Sequence, residues 1–129
     1  MNTNYTRFFC KPYKKTGRKY GMNRGEEKYA ALLESMKQSG DIIEYVYEGI
    51  TLKLADNTRY TPDFVVISDE YVTLVEVKAR WNRGKENEHT HWEDDARVKW
   101  KVAMERYWWF RFAVVYHDKS SGWKTEYKN

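Results

Sequence analysis

Asp63 and Glu76 are two carboxylates, and Lys78 is an ammonium two residues past the second. They stand as Pro62-Asp63, twelve intervening residues, then Glu76-Val77-Lys78. Two hard oxygen ligands suit Mg²⁺ or Mn²⁺, with water and a substrate phosphate filling the other positions. An ion held there would polarise a phosphoryl oxygen and lower the pKa of a bound water. Lys78 is placed to orient that water or to stabilise charge developing on the phosphate. Asp63, Glu76 and Lys78 are therefore candidate catalytic residues for phosphodiester hydrolysis, with Asp63 and Glu76 as metal ligands. Taken alone, Glu-x-Lys is common and reads as a solvated pair on an edge strand. The apolar flanks on both sides and the preceding Pro62 favour the metal site.

Such a site needs two neighbouring strands. Phe64-Val65-Val66-Ile67 leads into Ser68-Asp69-Glu70, and Val72-Thr73-Leu74-Val75 follows, which predicts two strands joined by a tight turn. Side chains alternate faces along a strand, so Glu76 and Lys78 point the same way, and pairing brings Asp63 to them.

The rest of the chain supplies the frame. Glu26 to Gln38 has Tyr29, Leu32, Leu33 and Met36 at helical spacing, acids in the first turn and a Ser39-Gly40 stop. Ile42 to Leu54 predicts one long strand or two short ones broken near Glu48-Gly49, and residues 55–58 a turn. Asn82 to Thr90 is polar and reads as a loop. A second helix is expected from about Trp92 to Tyr107, with Trp92, Ala96, Trp100, Ala103 and Tyr107 forming a stripe toward the sheet. Phe110 to Tyr116 and Trp123 to Tyr127 read as strands. The fold class is α/β: a mixed central sheet flanked by helices, in the order αβββαβ with a short final strand.

With 129 residues, one domain with a modest core is expected. No apolar run approaches the ~18 residues of a spanning helix, and Met-Asn-Thr-Asn-Tyr lacks the apolar region of a signal peptide. Cys10 is the only cysteine, which excludes an internal disulfide and a thiolate cluster. These features predict a cytoplasmic protein with no membrane partner.

The net charge of +4 is unevenly spread. Residues 1–25 hold Arg7, Lys11, Lys14, Lys15, Arg18, Lys19 and Arg24 and no acid, interleaved with Tyr5, Phe8, Phe9, Tyr13 and Tyr20. A basic, aromatic arm can neutralise phosphates and stack on exposed bases. The division expected is thus an arm over 1–25 and a catalytic domain over 26–129, with DNA as partner. Lys14, Lys15, Arg18, Lys19 and Arg24 are candidate DNA contacts. The rival is a tail that packs on the domain or on a partner subunit. Arg97 and Lys101, four apart on the second helix, form another candidate cationic stripe; equally, they pair with Glu93, Asp94 or Asp95 as ordinary helix salt bridges.

The strand pair, carried by Tyr60-Thr61-Pro62-Asp63-Phe64 and Val75-Glu76-Val77-Lys78, with Asp94-Asp95-Ala96-Arg97 opening the second helix, resembles the PD-(D/E)XK nuclease superfamily. Within it the chain is most similar to small phage-encoded members and to endonuclease I-type Holliday junction resolvases. The resemblance spans roughly Gly25 to Tyr116. It implies a restriction-endonuclease-like core, a Mg²⁺- or Mn²⁺-dependent DNA endonuclease, and branched or structured DNA as substrate in phage recombination or replication, in the host cytoplasm. A homodimer is an open expectation, although no extension marks an intertwined one. Many members add a glutamate from the first helix to the metal site. Glu26 shares the inward line of Tyr29 and Leu33 and is chosen over Glu27 as that catalytic, metal-binding residue. A catalytically silent module that grips DNA or a protein is the alternative.

Other chemistry is weakly supported. His89-Thr90-His91 and His117 lack the partners and spacing of a zinc site. No Gly-rich phosphate loop and no framed Ser or Cys nucleophile occurs. Trp108 and Trp109 are expected to part, one toward the core and one toward DNA or a partner.

Overall fold

The computed structural model describes residues 21–81, 89–90, 94–118 and 122–128. Met22 is already in the core, and Asn23 starts helix α1, Arg24–Ser39. The Asn23 side chain accepts from the Glu26 N–H at 2.9 Å, and the Glu26 carboxylate accepts from the Asn23 N–H at 2.9 Å. This reciprocal box satisfies two end donors of the helix and moves its start two residues ahead of the one expected. Gly40 ends it in the left-handed region at φ 84°, which a residue without Cβ adopts at little cost.

Two short strands follow, the second of the alternatives left open by the sequence. β1, Glu44–Tyr47, joins the main sheet, and β2, Leu52–Ala55, leaves it. Between them Glu48 lies at φ 46°, and its N–H donates to the Asp63 carbonyl at 2.8 Å. β3, Thr58–Tyr60, pairs with β2 as a separate hairpin around Asn57. β4, Phe64–Ile67, and β5, Val72–Lys78, form the expected antiparallel pair. β6, Arg80–Trp81, and β7, His89–Thr90, make a small ladder. His89 and Thr90 are therefore strand residues where a loop was expected; residues 82–88 of that loop lie outside the described residues. The second helix, α2, is described as Asp94–Arg106, with Trp92 and Glu93 outside. β8, Arg111–Asp118, runs parallel to β5, and β9, Gly122–Lys128, antiparallel to β8.

The five-stranded sheet has the order β1-β4-β5-β8-β9. It is the mixed, helix-flanked arrangement of a restriction-endonuclease-like core. Apolar residues alternate along the strands, so each face carries its own cluster. Phe64, Val66, Val75, Ala113 and Val115 meet Tyr29 and Leu33 of α1. Val65, Leu74, Phe112 and Val114 meet Trp100 and Ala103 of α2, together with Leu52, Leu54 and Tyr60 of the hairpin. The α2 stripe thus seats against the hairpin as well as the sheet. The Arg106 guanidinium bonds the Leu54 carbonyl, and the Tyr107 hydroxyl donates to the Lys53 carbonyl at 2.7 Å.

Phe112, 1% exposed, is shared by these three layers. Phe112→Ala is expected to destabilise the domain by about 3–5 kcal/mol, read as a lower denaturant midpoint at unchanged slope. A loss below about 1 kcal/mol would contradict this packing.

Candidate active site

The β4–β5 register sets Phe64 against Val75, so the preceding Asp63 comes level with Glu76. Val75 belongs to the α1 cluster, which turns Glu76 to the α2 side. Asp63 is held by the backbone, its Oδ2 accepting from the Val77 N–H at 2.8 Å. Glu76 is 6% exposed, a rare placement for a carboxylate. Its Oε1 accepts from the Tyr60 hydroxyl, and its Oε2 lies 3.5 Å from Lys78 Nζ. The structure thus brings Asp63, Glu76 and Lys78 together at the end of two paired strands.

The electrostatics are unfavourable for two anions. Burial, and then the neighbouring Glu76 charge, push the Asp63 carboxyl well above its ordinary range, against the opposing Val77 N–H. Burial raises Glu76 too, partly offset by the Tyr60 hydroxyl and by Lys78. The Tyr60 hydroxyl is raised by burial and by Glu76, and so remains a donor. Two adjacent, poorly solvated carboxylates favour protonation or an added cation. The donor set is hard oxygen, so it fits Mg²⁺ or Mn²⁺ better than a soft ion. Among the described residues no three His, Cys, Asp or Glu side chains gather closely enough to form a metal cluster. The pair would therefore rely on water and phosphate oxygens to complete a coordination sphere.

Glu26 is 8% exposed and approaches from the α1 side. Its Oε2 accepts from the Asn23 N–H and, at 3.1 Å, from the Tyr47 hydroxyl. Its charge also contributes to raising Asp63. Glu27 is less buried. Arg24 is exposed on the first turn of α1, and Arg97 and Lys101 are exposed on α2. Lys14, Lys15, Arg18 and Lys19 lie outside the described residues. His91 does as well, and His117 packs edge-on against Trp123 at 5.1 Å. Trp108 and Trp109 are both exposed, 77% and 59%, correcting the expectation that one enters the core; they lie in the turn after α2, where the chain has left the core-facing stripe.

A cleft of about 210 Å³ opens beside the carboxylates, lined by Arg59, Thr61, Asp95 and Lys99 as well as Tyr60, Asp63 and Glu76. Sequence reasoning missed Arg59, Tyr60 and Lys99. Lys99 lies one turn after Ala96 of the recognised stripe, a signal that would have separated it from Arg97 and Lys101. It forms a 3.0 Å ion pair with Asp95 at the cleft wall. Tyr60 carried no spacing signal, because the hairpin that delivers it is separate from the main sheet. Tyr60→Phe removes the donor that orients Glu76 and is expected to weaken divalent-ion binding about 10–100-fold, measured by Mn²⁺ titration. Unchanged affinity would show that Glu76 is oriented without it.

A sequence model of the nuclease-related domain (NERD) family matches residues 22–107. No curated protein and no solved structure matches the chain. The matched span runs from the buried Met22 to Tyr107, and contains both carboxylates, Lys78 and the cleft.

Proposed function

The chain belongs to the nuclease-related domain family, and from that premise we propose that it is a divalent-metal-dependent endonuclease hydrolysing DNA phosphodiester bonds. The observation that carries the proposal is the meeting of half-buried Asp63 and buried Glu76 beside Lys78 at one end of β4 and β5. Asp63 and Glu76 would hold Mg²⁺ or Mn²⁺, and Glu26, whose charge acts on Asp63, would add a carboxylate from the α1 side. A bound ion supplies phosphoryl polarisation and an acidified water.

The remaining roles fall to the chain itself. The Val77 N–H and the Tyr60 hydroxyl fix the two carboxylates, so little reorganisation accompanies reaction. Lys78 donates to the attacking water or to the phosphate oxygens. Arg59 and Lys99 flank the cleft and would hold the scissile strand's backbone, with Arg97, Lys101, Arg24 and the Lys14, Lys15, Arg18 and Lys19 arm contacting phosphates farther out. Branched or structured DNA in phage recombination is the proposed substrate setting, on the resemblance to junction resolvases.

The test is a panel of duplex, single-stranded, flap and four-way-junction DNA incubated with Mg²⁺ or Mn²⁺. Cleavage is expected, strongest on the branched forms. Cleavage of linear duplex alone would remove the branched-substrate reading and leave the nuclease. Binding with no cleavage of any form would instead favour a silent DNA-binding module.

A further inference from the structure

β9 closes one side of the five-stranded sheet, and among the described residues no strand pairs with its outer edge. An open edge presents backbone N–H and C=O groups to any strand that can match it. The β8–β9 register sets Ala113 against Tyr127 and Val115 against Thr125, so Trp123, Thr125 and Tyr127 share the α1 face. Lys124, Glu126 and Lys128 occupy the other face. The aromatic face is partly preordered. The Arg111 guanidinium stacks 4.1 Å from the Tyr127 ring and 4.3 Å from the Tyr71 ring, and its Nε donates to Thr73 Oγ1 at 3.0 Å. Tyr127 nevertheless remains 55% exposed and Tyr71 47%. Exposed Tyr held by Arg at a sheet edge is the composition of a protein contact.

We infer that β9 pairs antiparallel with β9 of a second copy of this chain, with Thr125 on the two-fold axis, joining the two sheets into one. In that register the whole of β9 pairs and the sequence is self-complementary. Lys124 faces Glu126 of the second copy, Glu126 faces its Lys124, and Trp123 faces its Tyr127. Moving the axis to Lys124 or to Glu126 places identical charges opposite each other. An odd shift would set the charged face of one strand against the aromatic face of the other. Opposite charges directly across a strand pair stabilise it and like charges oppose it. With Tyr127 on the axis Glu126 would also face Lys128, but only the last three residues of β9 would pair, so the Thr125 register is the one that matches charges along the whole strand. The axis stands perpendicular to the sheet, so β5 of the two copies runs in opposite directions. The carboxylate clefts therefore open at opposite ends, and neither copy completes the other's site.

The experiment is sedimentation equilibrium of the full chain, wild type against Lys124→Glu, Glu126→Lys and the double exchange. The wild type is expected to be dimeric at high micromolar concentration. Each single variant sets like charges across both symmetry-related pairs and should weaken association by about tenfold or more. The double exchange restores both pairs and should recover the wild-type association. Within the chain Lys124 and Glu126 make partly exposed ion pairs, 3.6 Å to Asp118 and 3.8 Å to Lys128, and Glu126 Oε1 accepts a long 3.4 Å bond from the Tyr116 hydroxyl; all three are weak, so the fold should persist. A wild type that is monomeric throughout overturns the inference. So do single variants that associate like the wild type, or a double exchange that fails to recover.

Discussion

Asp63→Asn is expected to give a chain that melts higher than the wild type and cleaves nothing. The amide keeps an oxygen for the Val77 N–H, which now lies 2.8 Å from Oδ2, and has nearly the same volume. What it removes is a negative charge that burial and Glu76 both oppose. In divalent-free buffer a gain of about 1 kcal/mol in stability is expected, seen as a raised thermal midpoint. Cleavage should fall by ~10³-fold or more, the scale of losing a group that stabilises transition-state charge. Glu76→Gln should behave similarly, with the Tyr60 contact retained. Opposed changes in stability and activity are the signature of residues placed for function at the expense of the fold. If both variants melted lower than the wild type and still cleaved, the pair would be structural.

Lys78→Met carries the second large effect. The ammonium lies 3.5 Å from Glu76 and helps hold its carboxyl down. Methionine keeps the length of the side chain and removes the charge and its donors. Turnover is expected to drop ~10²–10³-fold, while Mn²⁺ affinity changes little or tightens, because no cation then competes for Glu76. A variant with normal turnover would assign Lys78 to salt bridging only. Loss of both turnover and ion binding would mean that Lys78 chiefly orients Glu76.

The site was largely legible because its three members sit on elements with strong local signals. Phe64 to Ile67 and Val72 to Val75 are apolar runs separated by a polar turn, and a hairpin of such strands has one favoured register. That register alone brings Asp63 to Glu76. Glu26 was readable for a related reason, since helical periodicity put it on the line of Tyr29 and Leu33, and all three are buried. The α1 start was misplaced by two residues because the Asn23 box depends on Glu26 bending back to the backbone, a choice of side-chain rotamer.

What was missed depends on tertiary placement. The stretch from Leu52 to Tyr60 has ordinary strand composition, and nothing local says that it leaves the main sheet to stand against α2. Tyr60 thereby reaches Glu76 from sixteen residues away in sequence. Arg59 and Lys99 reach the cleft for the same reason. Arg97 and Lys101 satisfied a helical spacing rule, but spacing gives only a face; which face meets the cleft is decided by Trp100 and Ala103 turning into the core. Trp108 and Trp109 show the converse, since large aromatics are usually core residues and here both stand in solvent.

If Asp63 and Glu76 carry metal-dependent cleavage of DNA, nicking of supercoiled plasmid in Mg²⁺ should depend on both the pair and the ion. The comparison is wild type against Asp63→Asn purified side by side, with a chelator control for each. The expected result is nicking by the wild type, its loss on chelation, and none by the variant at any metal concentration. Equal nicking by both proteins, or nicking that survives the chelator, would contradict it.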